Sequence, residues 1–164
     1  MRSILLLTDL FPWFGHFHPV LVHLPIGFII VGFILELIGR RKNFEHLLLS
    51  VNFVLWLGAL SSLLTAASGY FLSLEGGYGE AAVFNHQWSG IVVTLLIFAT
   101  ILFKNTKVYV LCLSFTMAGI IITGHLGGNL THGEGYLTEA LPQSIKEIFG
   151  IRDEDQSEPN VSYE

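Results

Sequence analysis

The sequence predicts an all-α fold, a four-helix transmembrane bundle with both termini in the periplasm. Three observations carry that expectation. The 164 residues are 52% hydrophobic and only 13% charged, whereas a soluble domain holds about a quarter charged residues. Four apolar runs are each long enough to cross a bilayer, which takes about 20 helical residues. The loops that join them alternate in charge sign, as the connections of a multi-pass protein do.

The chain opens with Met1-Arg2-Ser3-Ile4-Leu5-Leu6-Leu7, which begins like a signal peptide. Its apolar core is short, Asp9 interrupts it, and no small-residue cleavage site follows. Residues 4–14 read instead as an interfacial segment, with Trp13 and Phe14 at headgroup level. The expected organisation is an interfacial segment over 1–18, a bundle over 19–126, a glycine-rich loop with a short helix over 127–151, and an acidic tail over 152–164.

The first span is expected from Pro19 to Gly39. Proline suits the first helical position, where its missing N–H costs nothing. Pro25, one turn on, is expected to bend the helix or loosen its first turn. The second span is expected from Leu47 to Leu72. Its Gly58, Ala59, Ser61, Ser62, Ala66, Ala67, Ser68 and Gly69 allow close backbone approach in lipid. They also leave room for a flat cofactor, although packing is the favoured reading. The third span is expected from His86 to Phe103, and the fourth from Val108 to Leu126. Glu36 is the only carboxylate inside any run. It lies near the end of the first, where it can reach the interface.

The glycine-rich stretch 127–136 is not expected to be helical throughout, and it is read as a lid over the helix ends. A short amphipathic helix is expected from Pro142 to Phe149, with Leu141, Ile145, Ile148 and Phe149 on one side. Residues 152–164 hold five acids against one arginine, and this composition predicts disorder.

The first loop, Arg40-Arg41-Lys42, and the third, Lys104-Asn105-Thr106-Lys107, are basic, while the second carries Glu75 and Glu80. By the positive-inside rule the basic loops face the cytoplasm of a bacterial inner membrane, and the acidic loop and termini face the periplasm. Six of the seven histidines then gather at one face. His16, His18 and His23 lie where the first span enters, His86 where the third enters, His125 where the fourth emerges, and His132 just beyond. His46 alone falls on the other side.

A histidine entering hydrocarbon is costly unless it has a partner. Haem b in a helical bundle takes two neutral imidazoles from different helices at similar depth. His23 lies about 7 Å deeper than His18 along a helix, which defines two levels. A deeper pair would be His23 with His125, and an outer set would be drawn from His18, His86 and His132. One haem b is the expectation and two the alternative. Phe17, Phe28, Tyr70, Phe84 and Trp88 are expected to line the pocket.

Other chemistries leave weaker marks. Cys112, the only cysteine, has no internal disulfide partner. No CxxCH is present, which excludes covalent c-type haem attachment, and no CxxC zinc pattern occurs. Imidazole also suits non-haem metal held by these same histidines, zinc and copper included. Glu75, Glu80 and Glu134 keep that alternative open. No basic patch points to nucleic acid, and no nucleophile elbow, phosphate loop or dinucleotide fingerprint appears.

Two stretches carry a family resemblance. His16-Phe17-His18-Pro19-Val20-Leu21-Val22-His23-Leu24-Pro25-Ile26-Gly27 and Gly124-His125-Leu126-Gly127-Gly128-Asn129-Leu130-Thr131-His132-Gly133 resemble the HPxxVHxPI and GHxGGxLTHG boxes of an uncharacterised bacterial family. That family consists of four-helix membrane proteins, some fused to or beside c-type cytochrome domains. The resemblance covers most of residues 15–137 and implies a redox, haem-related setting without an established activity. It maps family positions onto His18, Pro19, His23, Pro25, His86, His125, Gly127, Gly128 and His132.

The expected function is that of a b-type cytochrome-like membrane subunit rather than a stand-alone enzyme. It would pass electrons between membrane quinol and a periplasmic c-type cytochrome or respiratory complex. The acidic tail would attract that partner through long-range field. The alternatives are a non-redox anchor subunit and a copper- or zinc-binding membrane protein.

Overall fold

A computed structural model describes residues 10–150. The expectations for residues 1–9 and for the acidic tail fall outside that range. Among the described residues every element is helical. Residues 10–15 are helical, followed by α1 (His18–Leu21), α2 (His23–Gly39), a 3-10 turn (Glu45–Leu47), α3 (Leu48–Ser73), α4 (Glu80–Leu102), α5 (Tyr109–His132), α6 (Tyr136–Glu139) and α7 (Gln143–Phe149).

Four helices are long and apolar enough to cross a membrane: Leu10–Gly39, Glu45–Ser73, Glu80–Leu102 and Tyr109–His132. They have the length of bilayer spans, because each residue adds about 1.5 Å of rise. Their surfaces agree, since large apolar side chains such as Leu49, Leu95, Leu102 and Ile121 point outward. In water this would be a liability, whereas in lipid it is the solvated face.

The first span packs on the second, the second on the third, the third on the fourth, and the fourth returns to the first. Spans one and three therefore stand diagonally across the bundle. Ile29, Val51, Leu55, Ala59, Val93, Ile97, Tyr109, Leu113 and Ile120 form the core. Small residues set the close approaches. A Cβ on Gly58 would lie 2.7 Å from Ile29 Cδ1, and one on Gly119 would lie 2.8 Å from Val93 Cγ2. The favoured packing reading of the small residues thus holds in the middle of the second span.

The first span breaks at Val22, between α1 and α2. Pro19 sits in the first turn of α1, as expected. Pro25 has no N–H to bond the Leu21 carbonyl one turn back. The Thr65 hydroxyl donates to that carbonyl instead, at 3.0 Å. The loosened first turn is thereby closed by a neighbouring helix.

Three expectations are corrected. The third span begins at Glu80 rather than His86; Glu80 in the first turn suits the positive end of the helix dipole, and Ala81 and Ala82 propagate the helix. The fourth span runs through the glycine-rich stretch to His132 instead of ending near Leu126. Glycine is more frequent in membrane helices than in soluble ones, and α5 stops only where Gly133 adopts φ 97°. Glu36 is also not at the surface. It is buried, and accepts from Arg40 Nε at 2.8 Å, Arg40 Nη2 at 2.7 Å and the Tyr109 hydroxyl at 2.9 Å. The expected terminal helix is present as α7, but Ile148 and Phe149 point outward.

Candidate functional site at the histidine end

His18 and His86 face each other across the diagonal of the bundle. Their ring centroids are 6.2 Å apart, with planes at 81°. His18 lies on α1 in the first span and His86 on α4 in the third. The remaining two spans bring glycine to the same level. A Cβ on Gly69 of α3 would lie 2.7 Å from His18 Cε1, and one on Gly127 of α5 would lie 2.9 Å from His86 Cε1. Each imidazole therefore rests on backbone where any other residue would put a side chain.

The protonation of His18 follows from its partner. Its Nδ1 lies 3.0 Å from the Thr65 carbonyl, which only accepts, so Nδ1 carries the proton. The Ser68 hydroxyl donates to the same carbonyl at 2.9 Å and lies 3.4 Å from Nδ1. In the neutral ring the lone pair is then on Nε2, for which no hydrogen bond is found among the described residues. Histidines that bind metal commonly donate their other ring N–H to a backbone carbonyl in this way.

His86 is arranged differently. The Thr123 backbone approaches its ring, yet Nδ1 is buried without a partner at hydrogen-bonding geometry. Thr123 Oγ1 and Asn129 Oδ1 are also buried and unpartnered. All three atoms belong to the third and fourth spans, on residues from Thr123 onward in α5 or on His86 itself. Buried polar atoms are normally satisfied, and these three are not satisfied within the described residues.

The outer set named from the sequence is thus brought together in part. His18 and His86 meet, but His132 is exposed and stacks on Tyr136 at 4.3 Å. The deeper pair is not assembled. His23 is exposed with no hydrogen bond or ring contact among the described residues. The His125 Nε2 instead lies 3.4 Å from Asn129 Nδ2, one turn along its own helix. His16 lies 3.3 Å from Glu75 at the surface.

Of the expected aromatic lining, Phe28 is half-buried, and Phe17, Tyr70, Phe84 and Trp88 are exposed. Their amphipathic or apolar rings suit the headgroup level, and hydropathy alone does not separate an inward ring from a lipid-facing one. Sequence reasoning did not single out Thr65 or Thr123, and it gave Ser68 and Gly69 to packing. Thr65 acts through contacts more than forty residues away in sequence, which no local pattern displays.

Two imidazoles on opposite sides of one metal ion have centroids about 6 Å apart, given metal–nitrogen bonds of about 2.0–2.1 Å. The His18–His86 separation matches that spacing. Among the described residues no group of three or more His, Cys, Asp or Glu side chains converges to hold an ion.

No family model matches the chain, and neither a curated protein nor a solved structure does.

Proposed function

We propose that this chain is a b-type cytochrome-like subunit of a bacterial inner membrane in which His18 and His86 hold one haem b. The observation that supports this reading best is the diagonal imidazole pair, with both rings seated on glycine. A haem macrocycle fills four iron positions itself and asks the protein for two axial donors. A structural zinc site asks for four protein ligands and a catalytic one for three. The His18–His86 pair meets the haem requirement in number.

His18 is the better prepared donor, because the Thr65 carbonyl fixes its tautomer and ring plane. His86, with an unpaired Nδ1, stands opposite. Both family-like boxes contribute: the first supplies His18, and the second supplies Gly127 beneath His86. When bound, the haem supplies one-electron chemistry. In this reading electrons pass between membrane quinol and a periplasmic c-type cytochrome, with the histidine end facing the periplasm and the acidic tail drawing a basic partner.

The visible spectrum of the purified protein, produced with haem available, tests the reading. Reduced bis-histidine haem gives sharp visible bands. They are expected in the wild type, absent in His18→Ala and His86→Ala, and present in His23→Ala and His125→Ala. A wild type without haem supports the anchor reading. Full haem in both His18→Ala and His86→Ala rejects this axial pair.

A further inference from the structure

The end of the bundle opposite the histidines carries a second feature, independent of the haem reading. The first loop and the third loop meet there. Glu36, near the end of α2, binds Arg40 at the start of the first loop and Tyr109 just after the third. Lys104 of the third loop lies close enough to feel the Glu36 carboxylate. The four residues place the two loops at one corner of the bundle.

Charge at this corner is unbalanced. Arg40, Arg41, Lys42, Lys104 and Lys107 stand against Glu36 and Glu45. The Glu36 carboxylate is already occupied by Arg40 and Tyr109. Arg41, Lys42 and Lys107 are exposed and form no ion pair among the described residues. Burial holds the Lys104 ammonium below the usual lysine range, and Glu36 offsets only part of this. The first loop is also held in shape. The Arg41 N–H donates to Ile38, the Phe44 N–H donates to Arg41, and Asn43 takes φ 78°. A Cβ on Gly39 would lie 2.7 Å from Leu48 Cδ2, so the loop leaves its helix tightly.

We infer that the corner formed by Arg41, Lys42, Lys104 and Lys107 binds the phosphate headgroup of an anionic phospholipid. The position is at a span end, where lipid phosphates lie, and basic pockets between membrane helices recognise such headgroups. The unpaired cations supply the complementary charge, and the exposed Leu102 and Phe103 beside them supply acyl-chain contact.

The test uses the full chain in nanodiscs of equal phosphatidylglycerol and phosphatidylcholine, with retained lipid counted by native mass spectrometry. The wild type is expected to keep phosphatidylglycerol preferentially. The combined Arg41→Gln, Lys42→Gln, Lys104→Gln and Lys107→Gln variant is expected to lose the preference. Lys107→Gln alone, at an exposed position, is expected to weaken it about fivefold, and it serves if the fourfold variant does not fold. Lys107→Arg is expected to retain it. Equal retention of the two lipids by the wild type, or an unchanged preference in a folded neutralised variant, overturns the site. Displacement of the lipid by millimolar inorganic phosphate assigns the corner to free anion instead and also overturns it.

Discussion

Tyr109 donates its hydroxyl to Glu36 Oε2 at 2.9 Å, joining the last turn of α2 to the first turn of α5. Both residues are buried, and Arg40 holds the other carboxylate oxygen. The first and fourth spans share few other packed surfaces, so this bond closes the ring of four helices. Tyr109→Phe keeps the ring and removes the donor, leaving a buried carboxylate oxygen short of a partner. The expected loss is about 1–3 kcal/mol. In a chain of this size that lowers the thermal midpoint by a few degrees per kcal/mol, about 2–4 °C. Circular dichroism melts of the two proteins in one detergent check it. Equal midpoints would mean that the fourth span is held to the first by packing alone.

The Thr65 hydroxyl and Pro25 are coupled through the Leu21 carbonyl. Pro25 removes the helical donor to that carbonyl, and Thr65 replaces it from the second span. Thr65→Val should therefore destabilise the protein by about 1–3 kcal/mol, because the carbonyl loses its partner. Pro25→Ala restores an N–H one turn on. In that background Thr65→Val should cost clearly less. A double-mutant cycle of unfolding midpoints measures the difference. Additive effects would show that the two residues act separately.

What the sequence displayed and what it hid divide along physical lines. The four spans were legible because hydropathy is summed over about 20 residues, and no single position decides it. The gathering of histidines at one end was legible because consecutive spans alternate in direction, which brings the start of the first and third and the end of the fourth to one side. The partners were not. His18 and His86 meet because the bundle closes with the first and third spans on a diagonal, and that arrangement is carried by contacts such as Gly58 on Ile29 rather than by any local motif. The exposure of His23 was not legible, because depth along a helix says nothing about the side it faces. The glycines at 127 and 128 read as helix breakers, yet Gly127 stays helical with the His86 ring against it.

The glycines beneath the two rings give the sharpest test of the site's geometry. Gly69→Ala places a Cβ 2.7 Å from His18 Cε1 and 2.9 Å from its Nδ1. The ring cannot retreat without stretching its bond to the Thr65 carbonyl. Gly127→Ala meets the His86 ring at 2.9 Å in the same way. Each substitution should cost about 1–3 kcal/mol through overpacking. Gly90→Ala is the control, since nothing lies within 4 Å of its Cβ position in the middle of α4. Removing glycine from that helix should leave stability unchanged or raise it by up to about 1 kcal/mol. Thermal midpoints rank the three variants, and imidazole nitrogen NMR reports whether the His18 Nδ1 proton is still held. If Gly69→Ala melts with Gly90→Ala and keeps the wild-type imidazole signals, then the His18 ring is not seated on the second span, and the diagonal pair loses its support.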